Sequence, residues 1–267
     1  MFPGEQRFKN PKASALLESI FPFAVDEGDV LMDFFAGSGT TAQAVLALNR
    51  KDGKKRRFVL TEMGSYFDSI LKPRVSKVMH AAKWKDGQPD AIGDLQGIVK
   101  VQRFEQYEDT IANLETAWDD KQLPEGVPVR YLFRPEENRV RQSLDLTRPF
   151  ANTQRVGQRG ETCMVDLLET WALLQGYWVR SRRVFVEAGR RYAALETECG
   201  CLVLLRDINE PEDDSAALNA IAARYVNEDG SSRVQRLEVN HWADLRKVKL
   251  PCTLISAVDF DRGAAWN

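Results

Sequence analysis

A chain of 267 residues, 43% hydrophobic and 28% charged, has an ordinary globular composition and material for one large domain or two modest ones. Its formal net charge of −2 excludes adhesion to nucleic acid through bulk charge, leaving only local basic patches at Lys54 to Arg57, Arg180 to Arg183 and Arg190-Arg191. No apolar run reaches the roughly 18 residues of a membrane span, and the opening MFPGEQRFKNPK lacks the apolar core of a secretory signal.

Four scattered cysteines and two histidines offer no zinc-ligand spacing. Reduced thiols in a cytoplasmic protein, away from any membrane, are the expectation.

In chain order, residues 12 to 21 place Ala13, Leu16, Leu17, Ile20 and Phe21 at helical spacing, with Pro22 as the stop. Val30 to Phe34 is an apolar run broken only by Asp33, predicting a strand buried on both faces of a parallel sheet. Thr40 to Asn49 predicts a helix with Ala44, Val45 and Leu48 inward, and Phe58 to Thr61 a second strand. Together they form a βαβ unit. Tyr66 to Ala82 predicts a helix or a pair of helices, interrupted at Lys72-Pro73.

Turn residues from Gly87 to Gly97 mark the first plausible boundary. Beyond it the pattern predicts a strand at Ile98 to Phe104, a helix at Tyr107 to Ala117, loop from Leu123 to Val129, and a strand-like segment at Arg130 to Phe133. A helix comes next at Cys163 to Gln175, capped by Gly176. Strands are expected at Val184 to Val186, Tyr192 to Leu195 and Cys201 to Leu205, then a helix at Ser215 to Tyr225. The expected division is 1–105 and 106–267.

Between the first strand and its helix lies Ala36-Gly37-Ser38-Gly39, almost without side chains. Such a turn brings unpaired backbone N–H groups and the positive end of a helix dipole to one point. Gly37 to Ala42 satisfies the G-x-G-x-x-A dinucleotide pattern, and Glu62 ends the next strand, where an acid can bond ribose hydroxyls. Two ligands fit: a dinucleotide, or S-adenosylmethionine. Asp33 favours the second, since a carboxylate there would repel a pyrophosphate but attract an amino acid's ammonium. The bland alternative is that Asp33 only caps the turn.

The stretch DFFAGSGTTAQAVLALN resembles the cofactor motif of amino-group DNA methyltransferases, specifically of the Mod subunits of type III restriction-modification systems. Asn10-Pro11-Lys12 is similar to the Asn-Pro-Lys-Pro element preceding that motif, with Ala13 replacing the second proline. RFVLTEMG at 57–64, YFDSILKPRVSKV at 66–78 and WKDGQP at 84–89 resemble the segments downstream of that motif in the family. FEQYEDTIANLE at 104–115 and VDLLETWALLQG at 165–176 also look like Mod sequence.

The resemblance implies an α/β fold: a partial Rossmann-like S-adenosylmethionine-dependent methyltransferase sheet with a smaller C-terminal α+β region. It implies S-adenosyl-L-methionine as cofactor. Asp33, Ala36, Gly37, Ser38 and Gly39, with the Thr40 and Thr41 hydroxyls, would line its methionine end. Phe34 or Phe35 would shield the adenine or sulfonium, at least one of the two being plain core. Lys12 and Ser14 would approach the carboxylate, and Glu62 would hold the ribose.

Members of this family extrude the target adenine and grip its amine with an Asp/Asn-Pro-Pro-aromatic element. None of the 11 prolines here adjoins another, so that element is absent. In the subclass that this sequence resembles, it precedes the cofactor motif. The chain is therefore expected to be the C-terminal part of a methyltransferase, inactive alone. Double-stranded DNA is the partner of the complete enzyme, and a restriction subunit, an upstream methyltransferase fragment and a second copy of the chain are candidate partners. The competing classes are a dinucleotide-dependent oxidoreductase and a non-catalytic module binding a partner or DNA. A half-covered sheet would also promote oligomerisation.

Overall fold

The computed structural model describes residues 12–90, 95, 97–104, 108, 145–156, 161–208, 213–240 and 245–255. The chain divides into two compact units, residues 1–100 and 101–267. The helix expected at Tyr107 to Ala117 and the segments expected between Leu123 and Phe133 lie outside the described residues, as do Asn10 and Pro11. No described helix is long and apolar enough to cross a membrane.

The first unit opens with α1 (Ser14–Ile20), which tightens into a 3-10 turn at Phe21–Phe23 where Pro22 cannot donate. Strands β1 (Val30–Asp33) and β2 (Arg57–Leu60) pair in parallel, Val30 opposite Arg57 and Asp33 opposite Leu60. Helix α2 (Thr40–Asp52) connects them, so the βαβ unit stands. Gly53 ends α2 in the left-handed conformation at φ 74°, its N–H reaching the Asn49 carbonyl. A π turn at Phe67–Leu71 then runs without a break into α3 (Lys72–His80). Pro73, which cannot donate, comes just after the π turn, so the expected interruption takes the form of a change from π to α geometry at Leu71–Lys72, two helical pieces joined without a gap. A small antiparallel pair, β3 (Trp84–Lys85) and β4 (Gln88–Pro89), closes over Asp86-Gly87, both at positive φ.

Two expectations fail in this unit. Strand β1 is not buried on both faces: Val30 is 46% and Met32 50% exposed, alternating with half-buried Leu31 and Asp33. With only β2 beside it, β1 is covered on one face. Ile98 to Phe104 forms no ladder, and Ile98, Val101 and Phe104 are exposed. Alternation alone does not make a strand without a pairing partner. The basic run Lys54 to Arg57 is also partly spent inside the unit. Arg56 is buried, its guanidinium on Asp52 at 2.7 Å and on the Val25 carbonyl at 3.0 Å, while Lys54 pairs with Asp26.

The second unit begins with a hairpin, β5 (Thr153–Val156) and β6 (Glu161–Met164). Helix α4 (Leu167–Leu174) comes next, its first turn capped by Asp166 accepting the Glu169 N–H at 3.2 Å. The helix expected from Cys163 thus starts late, because Cys163 and Met164 pair across the hairpin. Strands β7 (Val179–Glu187), β8 (Arg190–Thr197) and β9 (Cys201–Arg206) form an antiparallel meander. Helix α5 (Ser215–Ala222) then crosses to β10 (Arg236–Asn240), parallel to β9, with β11 (Cys252–Ile255) parallel at the far edge.

The sheet order is β11-β10-β9-β8-β7. Leu167, Leu168 and Trp171 of α4 pack on one face against Leu195, Val203 and Leu205. Leu218 and Ile221 of α5 pack on the other against Ala194, Leu202, Leu204 and Val239. Helices on both faces explain why β8 and β9 are apolar and buried without alternation. This unit, expected as the smaller α+β region, holds the larger sheet and is a three-layer mixed α/β arrangement.

Candidate cofactor-binding loop

Asp33 ends β1, and the chain turns through Ala36-Gly37-Ser38-Gly39 into α2. Gly37 and Gly39 lie at φ 55° and 81°, a region costly for any residue with a side chain. At Gly39 an added Cβ would also press Leu71 at 3.4 Å. Gly39 occupies the N-cap position of α2, and no side chain caps that helix start. Its first N–H groups therefore converge on the turn. Ala36, Ala42, Leu71 and Val75 form a small apolar cluster beneath.

Two carboxylates grip this turn from opposite sides. Asp33 accepts the Phe35 N–H at 3.1 Å on one oxygen and the Thr41 hydroxyl at 2.6 Å on the other. Glu62, just past β2, accepts the Gly37 N–H at 2.8 Å and the Gly64 N–H at 2.8 Å. The capping role considered for Asp33 is thus present, and Glu62 aims at the same turn. Burial would raise the Glu62 carboxyl, but the Gly64 and Gly37 N–H groups, the Tyr66 hydroxyl and the Met63 N–H together hold it below its ordinary value. Glu62 takes the Gly37 N–H on one oxygen and the Gly64 N–H on the other, and Asp33 likewise accepts one bond on each of its oxygens.

A residue that sequence reasoning overlooked completes the loop. Arg74, on α3, donates through Nη1 to Ser38 Oγ at 2.7 Å, to the Ser38 carbonyl at 3.2 Å and to Thr40 Oγ1 at 3.2 Å. Its Nε reaches Gln43 Oε1 at 2.8 Å. No carboxylate among the described residues pairs with it, and burial lowers its pKa. The LKPR segment at 71–74 shows a proline near a helix start and a cation after it, but nothing local in it says that this cation folds back onto Ser38.

The remaining expected residues divide. Ser14, at the start of α1, joins the constellation by accepting the Gln43 amide at 3.4 Å. Lys12 is exposed and touches none of these groups among the described contacts. Phe34 and Phe35 are 62% and 88% exposed. The expectation that at least one is core packing is therefore wrong; β1 has only one covered face, and the chain leaves it before reaching the apolar cluster. Side chains of the protein already reach the turn: Glu62 holds the Gly37 N–H, Arg74 lies on Ser38 and Thr40, and Ser38, Thr40 and Thr41 are buried. A groove of about 310 Å³ does exist in the second unit, between Phe150, Leu168, Arg182 and Arg191, and none of the loop residues lines it.

The donor set fits a zwitterionic nucleoside. A guanidinium with no carboxylate partner among the described residues, beside a helix N-terminus, suits a carboxylate. A strand-end carboxylate with open lone pairs suits an ammonium, and exposed aromatic rings suit a heterocycle.

Residues 3–73 match the family model described as DNA methylase. The Mod subunit of the type III restriction-modification enzyme StyLTI from Salmonella typhimurium is 39% identical over 106 residues, which is 34% of this chain and 16% of that protein. The EcoP15I Mod subunit from Escherichia coli is 41% identical over 58 residues, 22% of this chain and 9% of that protein. The type II methyltransferase M.KpnI from Klebsiella pneumoniae is 42% identical over 59 residues, 22% of this chain and 14% of that protein. The chain thus spans no more than 16% of the length of these relatives. The glycine turn, both clamping carboxylates and α2 all fall inside the matched region, and in residues 3–73 the chain is similar to the DNA methylase family and to its Mod subunits.

Proposed function

We propose that this chain carries the S-adenosylmethionine-binding part of a DNA adenine methyltransferase of a restriction-modification system. The observation that carries the reading is the Gly37-Ser38-Gly39 turn, held by Asp33 and Glu62 and flanked by Arg74, a cation with no carboxylate partner among the described residues. The two strands and crossover helix of the first unit correspond in this reading to part of a Rossmann-like sheet.

Each residue then has a role. Arg74 and the first N–H groups of α2 hold the cofactor's carboxylate, with Ser38, Thr40 and Thr41 hydroxyls beside them. Asp33 takes the ammonium on its open lone pairs. Glu62 takes the ribose hydroxyls beside the Gly37 and Gly64 N–H groups that it already accepts. Phe34 and Phe35 cover the adenine and sulfonium, while Lys12 and Ser14 stand on the carboxylate side. When bound, S-adenosylmethionine supplies a methyl group activated by its sulfonium.

The 267 residues contain no Pro-Pro pair, so the grip on the adenine amine comes from other sequence. The reading keeps double-stranded DNA and a restriction subunit as partners of the complete enzyme, and a cytoplasmic location. Calorimetry on the purified chain tests the cofactor assignment. S-adenosylmethionine and S-adenosylhomocysteine should bind, NAD should not, and Asp33→Ala should weaken the methyl donor by at least tenfold. NAD binding with no response to S-adenosylmethionine would sink it. Methyl transfer to duplex DNA by this chain alone would overturn the assignment of the amine grip elsewhere.

A further inference from the structure

The arginine-rich run at 180–183 has no place in the cofactor loop, yet the second unit builds a surface from it. Strand β7 is an edge strand, and its register against β8 slips at Arg180: Val179 faces Thr197, but Ser181 faces Glu196. An unbroken strand would send Arg180 and Ser181 to opposite faces. The extra residue brings both to one acid, Ser181 donating to Glu196 at 2.6 Å and Arg180 standing 3.8 Å from it. Bulges of this kind re-aim side chains.

Further along the same face, the Arg183 guanidinium lies 5.7 Å from the centre of the Tyr225 ring. Arg233 lies 5.9 Å from that ring and 3.0 Å from Glu196. Arg224 covers Phe185 and pairs with Glu187. Four guanidiniums thus share two carboxylates, leaving a local excess of positive charge in a chain of net charge −2.

The hydrogen-bonding capacity of the arginines on this face is also only partly used. Arg183 meets no carboxylate among the described residues, and Arg180 stands beyond hydrogen-bond distance of its acid. Arg233 donates to Glu196 through Nη2 at 3.4 Å, while its Nε, 3.0 Å from Glu196 Oε1, lacks hydrogen-bond geometry, so that buried oxygen also stays without a partner among the described residues. The hydroxyl of fully buried Tyr225 likewise has no partner among the described residues. Arg180 and Arg183, neither hydrogen-bonded to an acid among the described residues and the second backed by the Tyr225 ring, suit an external oxyanion with several oxygens.

We infer that Arg180 and Arg183, supported by Arg233 and the Tyr225 ring, form a phosphate site for the backbone of double-stranded DNA. The choice of DNA rests on the methyltransferase reading above; the oxyanion chemistry does not. Arginines lying on a strand face and carrying no base-reading partner supply affinity and register rather than sequence.

The test uses the full chain and a short labelled duplex, with fluorescence anisotropy measured over a range of salt. Replacing both arginines (Arg180→Gln with Arg183→Gln) should weaken binding about tenfold at moderate salt and reduce the slope of log affinity against log salt by ~2, near one per lost contact. Arg183→Lys, which keeps the charge, should keep the slope. Arg182→Gln is the control, because Arg182 points to the opposite face and is held by Asp166 at 2.6 Å. Circular dichroism melting confirms that the variants fold.

An unchanged affinity and slope in the double variant would overturn the inference, as would the absence of duplex binding by the parent chain. Displacement of the duplex by inorganic phosphate or a mononucleotide at equal phosphate concentration would overturn the backbone assignment in favour of a discrete small-anion site. S-adenosylmethionine affinity is measured on the same samples. Its loss beside intact DNA binding reports failure of the cofactor reading alone.

Discussion

Arg74 donates to two hydroxyls, a carbonyl and an amide oxygen that belong to the glycine turn and to α2. Arg74→Met keeps the aliphatic stem but leaves these half-buried acceptors without their donor. A loss of about 1–3 kcal/mol is expected, read as a lower urea midpoint at unchanged m-value. S-adenosylmethionine affinity should fall by more than that of Lys12→Met, since Lys12 touches nothing in the loop. The glycines and both acids of the loop were legible in the sequence because backbone freedom and strand-end position demand those residue types. Arg74 was not, because no local pattern records that a cation 36 residues away folds back onto Ser38.

At the scale of elements, the Glu62 staple ties the end of β2 to the glycine turn, and its carboxyl titrates below its ordinary value of 4.5. A depressed folded-state pKa contributes stability that is full above the unfolded value and is lost as pH falls through the folded one. Thermal midpoints should therefore be flat from neutrality to about pH 4.5 and fall below it, and Glu62→Gln should flatten that acid limb. In the second unit the corresponding joint is Arg206, fully buried, held by Asp214 through two nitrogens and by the Asn240 side chain at 2.9 Å. Asp214 also accepts the Tyr192 hydroxyl at 3.2 Å, and burial chiefly, with the Asp214 charge, pushes that phenol up to about 12. Asp214→Ala strands a buried guanidinium and should cost about 3–5 kcal/mol in chemical denaturation.

Element by element, legibility tracked the source of the signal. Helix α2 and the β7 to β9 meander came through because their residues decide locally. The strands β10 and β11 escaped notice, since their ladders depend on a crossover to β9 that periodicity does not encode. The alternation at Ile98 to Phe104 misled for the converse reason: it has the strand pattern and no ladder.

For the whole molecule, the first unit leaves a run of large apolar side chains open to solvent. Phe23 is 91%, Phe35 88% and Met63 84% exposed, beside Val30, Met32 and Phe34. A surface of this kind associates. Static light scattering should show mass rising with protein concentration, and Phe23→Ser with Phe35→Ser should suppress the rise; a concentration-independent mass for the parent chain would refute this.

The slipped register of β7 has a consequence for chain length. Excising Arg180 would bring Val179 and Ser181 into consecutive positions opposite Thr197 and Glu196, which are already consecutive in β8. Every rung of the ladder would survive in a polypeptide one residue shorter. The edge of the sheet thus carries a spare residue that architecture can discard, and a family of such chains could gain or shed it without refolding anything else.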